Sequence, residues 1–258
     1  MFGILTIEER PRGGVRERLK LRLCSRCRIR TGMYTERMTL FVTARVALHG
    51  GDSPARRQKY LTRALLHLKR SGAHRVVVPP EAAEAAVRLA LAPVRTGAAL
   101  RACIPQTVRL LMAERGLLPE QTCVVVQARK FDRSMANGVL TVAPQVRAIR
   151  LISADSEIAL RESLLGDFGI ACTGEAPEGT ESICLCFDGE VPGAEDMSGG
   201  EGCRLALSAP PERLASMPEG AAPSEYVAAL FLSGAIAGPD IRVERKVMLD
   251  MREENNII

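Results

Sequence analysis

Aromatic side chains are scarce in this chain: it has no tryptophan, and aromatic residues of every kind make up 3% of it. Single-stranded nucleic acid is held on stacking platforms of such residues, so that mode of binding lacks its material here. Histidine is as scarce, with only His49, His67 and His74. None of the three sits in a His-Glu-x-x-His pair, and the chain has no Gly-x-Ser-x-Gly elbow and no Gly-x-x-x-x-Gly-Lys-Ser/Thr phosphate loop. The hydrolase and nucleotidase classes that depend on those motifs are thereby set aside. Chemistry built from isolated carboxylates such as Asp132 and Asp188 would leave no such trace.

Long apolar runs are missing too. The longest, 226–238, falls well short of the roughly 20 residues that span a bilayer. The start, Met1-Phe2-Gly3-Ile4-Leu5-Thr6-Ile7, has no basic lead and runs at once into Glu8, Glu9 and Arg10, unlike a secretory signal. A cytoplasmic protein with no membrane partner is the expectation. The eight cysteines are irregularly spaced, and Cys123 and Cys172 fall in expected buried strands, so they read as small hydrophobes in a reducing compartment. Cys24-Ser25-Arg26-Cys27 is half of a zinc pattern, but on a strand its odd spacing sends the two sulfurs to opposite faces. No metal and no cofactor is expected.

Charge is plentiful and unevenly placed. Residues 1–75 carry 18 Lys and Arg against 5 Asp and Glu, whereas residues 151–258 carry 7 against 20, within a net charge of +5. Such asymmetry fits a nucleic-acid-binding end or two oppositely charged regions that neutralise each other.

The chain is organised around residues 122–174. Cys123-Val124-Val125-Val126-Gln127 reads as a strand, residues 148–153 as a second, a helix follows to Phe168, and Ile170-Ala171-Cys172 reads as a third strand. Runs of β-branched residues separated by helix-period segments indicate parallel strands buried by helices. Where a dinucleotide site would place glycines, this chain has Ala128-Arg129-Lys130-Phe131-Asp132-Arg133-Ser134. For residues 134–142 a helix suits the order of elements, while Asn137-Gly138 is also a hairpin signal; the helix is the preferred reading.

Elsewhere, residues 2–7 read as a strand. Residues 19–48 alternate with period 2 and read as a long hairpin turning at Thr31-Gly32, with one apolar and one basic face. A helix follows Pro54, capped by Asp52 or Ser53 and ended by Gly72, with Tyr60, Leu61, Ala64, Leu65 and Leu68 inward. Residues 75–78 are a strand leading to an Ala-rich helix over 81–92. Residues 97–115 are helical with a break at Pro105. In the helix ending at Phe168, capped by Ser153 or Asp155, the inner side is expected to be Ile158, Leu164, Leu165 and Phe168. Residues 182–187, a helix from Ser224 and a strand over 241–249 complete the chain. The fold class is α/β, a Rossmann-like, mainly parallel sheet flanked by helices, with an N-terminal antiparallel hairpin. An N-terminal region 1–118 and a C-terminal region 119–258 are the expected divisions.

In open parallel sheets ligands sit beyond the carboxyl ends of the strands. That rule nominates Arg129, Lys130, Asp132, Arg133, Ser134 and Asn137, then Ser153 and Asp155, then Thr173. Cations beside a helix start suit a phosphate or carboxylate. The leading reading is a binding or regulatory module for a small nucleotide-like or phosphorylated anion, or for a protein partner. Two alternatives stand beside it: nucleic-acid binding through Lys20, Arg22, Arg26, Arg28 and Arg30 along the basic hairpin, and a nucleotide-dependent enzyme with a non-standard phosphate loop.

Overall fold

The computed structural model describes residues 1–10, 28–36, 38–153, 157–172, 175–188, 194–199 and 203–246. Along them run β1 (Phe2–Arg10), β2 (Ile29–Glu36), β3 (Thr39–His49), α1 (Pro54–Arg70), β4 (Arg75–Val77), α2 (Pro80–Arg88), β5 (Ala92–Pro93), α3 (Gly97–Ala102) and α4 (Ile104–Arg115). Next come β6 (Thr122–Gln127), α5 (Arg133–Val142), β7 (Ala148–Ile152), α6 (Ile158–Phe168), β8 (Glu181–Cys186) and β9 (Glu195–Asp196). The chain closes with β10 (Leu205–Ser208), α7 (Pro211–Leu214), α8 (Pro223–Leu232) and β11 (Arg242–Arg245). Two compact units result: Met1–Ala99 with Ala209–Ile241, and Leu100–Ser208 with Arg242–Ile258. The protein is thus α/β, with mostly parallel strands flanked by helices and an antiparallel strand pair near its N-terminus.

The first unit holds a sheet of order β2-β3-β1-β4-β5, in which β1 is parallel to both β3 and β4 and only β2 runs antiparallel to its neighbour. Val42, Ala44, Val46 and Leu48 of β3 meet Leu61, Ala64, Leu65 and Leu68 of α1 in one buried cluster, as the period-2 and period-3.6 patterns of the two segments require. Gly3 lies under this contact. A Cβ there would come within 2.9 Å of Val76 Cγ1 and 3.2 Å of Leu68 Cδ1, so only glycine lets the strand approach this closely.

The opposite face corrects the expected hairpin. Beside Arg30 and Arg45 it carries Phe41, fully buried, with its ring centroid 5.7 Å from that of Phe2, 5.2 Å from Tyr34 and 6.1 Å from Tyr226 of α8, so this face is partly core rather than a basic surface. The reversal also lies elsewhere. Gly32 is inside β2 opposite Thr43, Glu36 pairs with Thr39, and Met38 takes a positive φ of 68° between them. Residues 11–27, including Lys20, Arg22, Arg26, Cys24 and Cys27, lie outside the described residues.

The second unit holds a wholly parallel sheet of order β7-β6-β8-β9 and a separate antiparallel pair, β10-β11. Residues 170–172 are not a strand; the third position beside β6 is taken by β8. A three-residue apolar run with one β-branched member is too short a signal to outbid the six-residue run Glu181–Cys186, whose buried Ile183 and Leu185 face the core. The ambiguous connector is a helix, α5. Gly138 faces α4, where a Cβ would lie 3.0 Å from Ile104 Cβ, so the glycine of the Asn-Gly pair serves helix approach rather than a turn. In α6 the buried residues are Leu160 and Leu164, whereas Ile158, Leu165 and Phe168 are exposed. The helix after β4 ends at Arg88, and the break before α4 falls at Cys103, with Pro105 in the first turn, where its missing N–H costs nothing. Among the described residues no helix is long and apolar enough to cross a membrane.

Candidate functional site

After β6 the chain crosses through α5 to β7 on one side, and after β7 through α6 to β8 on the other. The loops leaving β6 and β8 therefore diverge from adjacent strands, which opens the crevice where α/β sheets bind ligands. Here the Arg129 amide donates to Asp188 Oδ2, tying the two loops together. The Phe131 amide donates to Glu157 Oε1 at 3.2 Å, and the Ser153 hydroxyl reaches Glu157 Oε1 at 3.3 Å and the Arg129 carbonyl at 3.4 Å. The segment 128–132 is thus held by carboxylates from two other loops.

Asp132 caps α5. Its Oδ1 accepts from the Met135 amide at 2.9 Å, and its Oδ2 from Arg101 Nη1 at 3.3 Å. Since the positive end of the helix already faces a carboxylate, recognition of an outside anion falls to the side chains around it. Arg129, Lys130, Arg133, Ser134 and Asn137 are all exposed, and none of the three cations forms an ion pair among the described residues. Phe131 and Met135, buried at 8% and 0% exposure, anchor the same segment in the core. Ser153 is half-buried and engaged with Glu157, which is itself the cap position of α6 with φ 43°. Asp155 and Thr173 lie outside the described residues.

The first unit offers a useful contrast, because its parallel strands β3-β1-β4-β5 repeat the order β7-β6-β8-β9. At its equivalent edge two arginines among the described residues are paired with carboxylates. Arg57 bridges Glu9 and Glu81, and Arg28 Nη1 lies 2.7 Å from Asp52 Oδ2. Asp52 also accepts from the His49 amide at 3.0 Å, so it does not cap α1; Ser53 holds the cap position without a side-chain bond. Burial raises the Asp52 pKa, but the His49 amide and the Arg28 guanidinium together bring it below the usual carboxylate value. Arg28 is 5% exposed and stacks 4.7 Å from the centre of the Tyr60 ring. It is therefore withdrawn from any nucleic-acid face, on which Arg30 is exposed.

Three participants, Asp188, Glu157 and Arg101, were not assigned to this site from the sequence. Asp188 would have been nominated had β8 been placed beside β6, because it follows that strand directly. Glu157 and Arg101 carry no local signal, since their roles arise only from neighbours distant in sequence. Burial pushes the Cys123, Cys172 and Cys203 thiols up, and Cys103 up to about 12, away from the reactive thiolate form. Among the described residues no group of three His, Cys, Asp or Glu side chains could hold a metal ion. Comparison with protein-family models and with curated proteins finds no match to this chain.

Proposed function

We propose that this chain is a cytoplasmic binding or regulatory module whose ligand is a small nucleotide-like or phosphorylated anion, seated beyond the carboxyl ends of β6 and β8. One observation carries the reading. Of two parallel sheets with the same strand order, the edge in the first unit has Arg28 and Arg57 paired with carboxylates, whereas the edge in the second unit presents the side chains of Arg129, Lys130 and Arg133 exposed and with no ion pair among the described residues. Guanidinium groups recognise phosphate oxygens through charge-assisted, often bidentate hydrogen bonds. Ser134 and Asn137, one and four positions beyond Arg133 on the exposed side of α5, add neutral donors for a sugar or a second phosphate oxygen.

Thermal unfolding in the presence of nucleoside mono-, di- and triphosphates and sugar phosphates tests the reading. A ligand at about one hundred times its Kd stabilises the folded protein by about 2.7 kcal/mol, and the double variant R129A/R133A should lose that response. Absence of any shift with the unmodified protein, or a shift of equal size in the double variant, would refute the site.

A further inference from the structure

We infer that β2 is a self-pairing edge, through which two copies of this chain join antiparallel to form one continuous sheet. Among the described residues β2 is the outermost strand of the order β2-β3-β1-β4-β5, and it turns alternate backbone N–H and C=O groups away from the sheet. Edges of this kind are commonly blunted by lysine, proline, a bulge or shortness. Here the strand runs eight residues, Ile29–Glu36, contains no lysine or proline, and keeps an unbroken register with β3. Its middle is neutral, and Met33 is 69% exposed.

The occupant follows from the strand's own charges. Its only ionic residues are Arg30 and Glu36. In an antiparallel pair related by a two-fold axis perpendicular to the sheet, opposing residues must share a face, so the axis passes through a residue position. An axis at Met33 sets Arg30 opposite Glu36 of the second copy, twice. It also sets Thr31 opposite Thr35, a favourable cross-strand pair, and Gly32 opposite Tyr34.

Both ionic residues have capacity to spare. Within its own sheet Arg30 lies opposite Arg45, a like charge. Arg45 is paired with Glu219 at 2.9 Å, while Arg30 has no ion pair among the described residues. Glu36 uses Oε2 to accept from Ser216 at 2.8 Å. Met33 lies on the face of the sheet covered by α1, since it pairs with Val42. An open hollow of about 180 Å³ lies there, lined by Thr31, Met33, Val42 and His67 among others. A second Met33 arriving at the axis would reach that hollow with an apolar, flexible side chain.

Sedimentation velocity over a wide concentration range gives the test, with circular dichroism to monitor folding. The unmodified protein should dimerise reversibly. R30E and E36R should each weaken the dimer about tenfold or more, because each replaces two attractive pairs by two repulsive ones. An equimolar mixture of the two variants should restore association, and M33P should abolish it. A protein that stays monomeric at about millimolar concentration overturns the proposal. So does a dimer unaffected by M33P, or one in which the mixture of charge variants associates no better than either variant alone.

Discussion

Arg28 and Asp52 form an ion pair whose side chains are 5% and 4% exposed. Charges taken that far from water are tolerated only while paired, and removing one partner leaves the other uncompensated. Arg28→Ala should therefore cost about 3–5 kcal/mol, read from urea denaturation, well above the ~1 kcal/mol or less expected for the exposed pair Arg88–Glu84. The pH dependence has a definite sign. Because the folded pKa of Asp52 lies below its unfolded value, its contribution is fully present above the unfolded pKa of about 3.9 and is lost as pH falls through the folded one. Asp52→Asn should flatten the stability profile in that acid window and leave its shape above about pH 6 unchanged. The half-buried Tyr34 donates from its hydroxyl to that of the fully buried Tyr226 at 3.1 Å; burial first, then that bond, raises its pKa, so the pair stays neutral through moderately alkaline conditions.

At the scale of elements, α5 joins stability to the proposed site. Its buried face is Met135, Gly138, Val139 and Val142, and its cap is Asp132. Asp132→Ala should lower stability by about 1 kcal/mol through loss of the cap. The same change uncovers the positive end of the helix and removes the one carboxylate within the Arg129–Ser134 segment. Two opposite outcomes are expected from one substitution: a lower melting temperature, and a smaller Kd for whichever phosphorylated ligand stabilises the protein. A weaker affinity would mean that Asp132 contacts the ligand directly.

For the whole molecule, the path of the chain matters most. Residues Ala209–Ile241 return to the first unit, bringing Tyr226 of α8, at 0% exposure, against Phe41. Truncation after Ser208 should therefore damage the N-terminal sheet, although the removed residues are distant in sequence, as in the Tyr34–Tyr226 contact separated by 192 residues. Circular dichroism and limited proteolysis should show the truncated chain losing protection over β1 to β3, rather than merely lacking its last helix. Protection of that region at the level of the intact protein would contradict the assignment of α8 to its core.

Most elements could be read from periodicity, because burying one side of a helix or strand imposes a repeat of 3.6 or 2 on the residues themselves. That is why α1, α5, β4, β6 and β7, the α/β class, and the loop 128–134 were legible in the sequence. Strand order was not. A period of 2 says that a strand has two faces but not what covers each, so Phe41 read as part of a basic face until Phe2, Tyr34 and Tyr226 surrounded it. Position in the sheet likewise moved the third strand from 170–172 to β8 and brought Asp188 to Arg129. Charge is the least local property of all. Whether an arginine is a surface cation or a buried partner depends on carboxylates many residues away, and so only the tertiary structure separated the paired Arg28 from the exposed Arg129, Lys130 and Arg133.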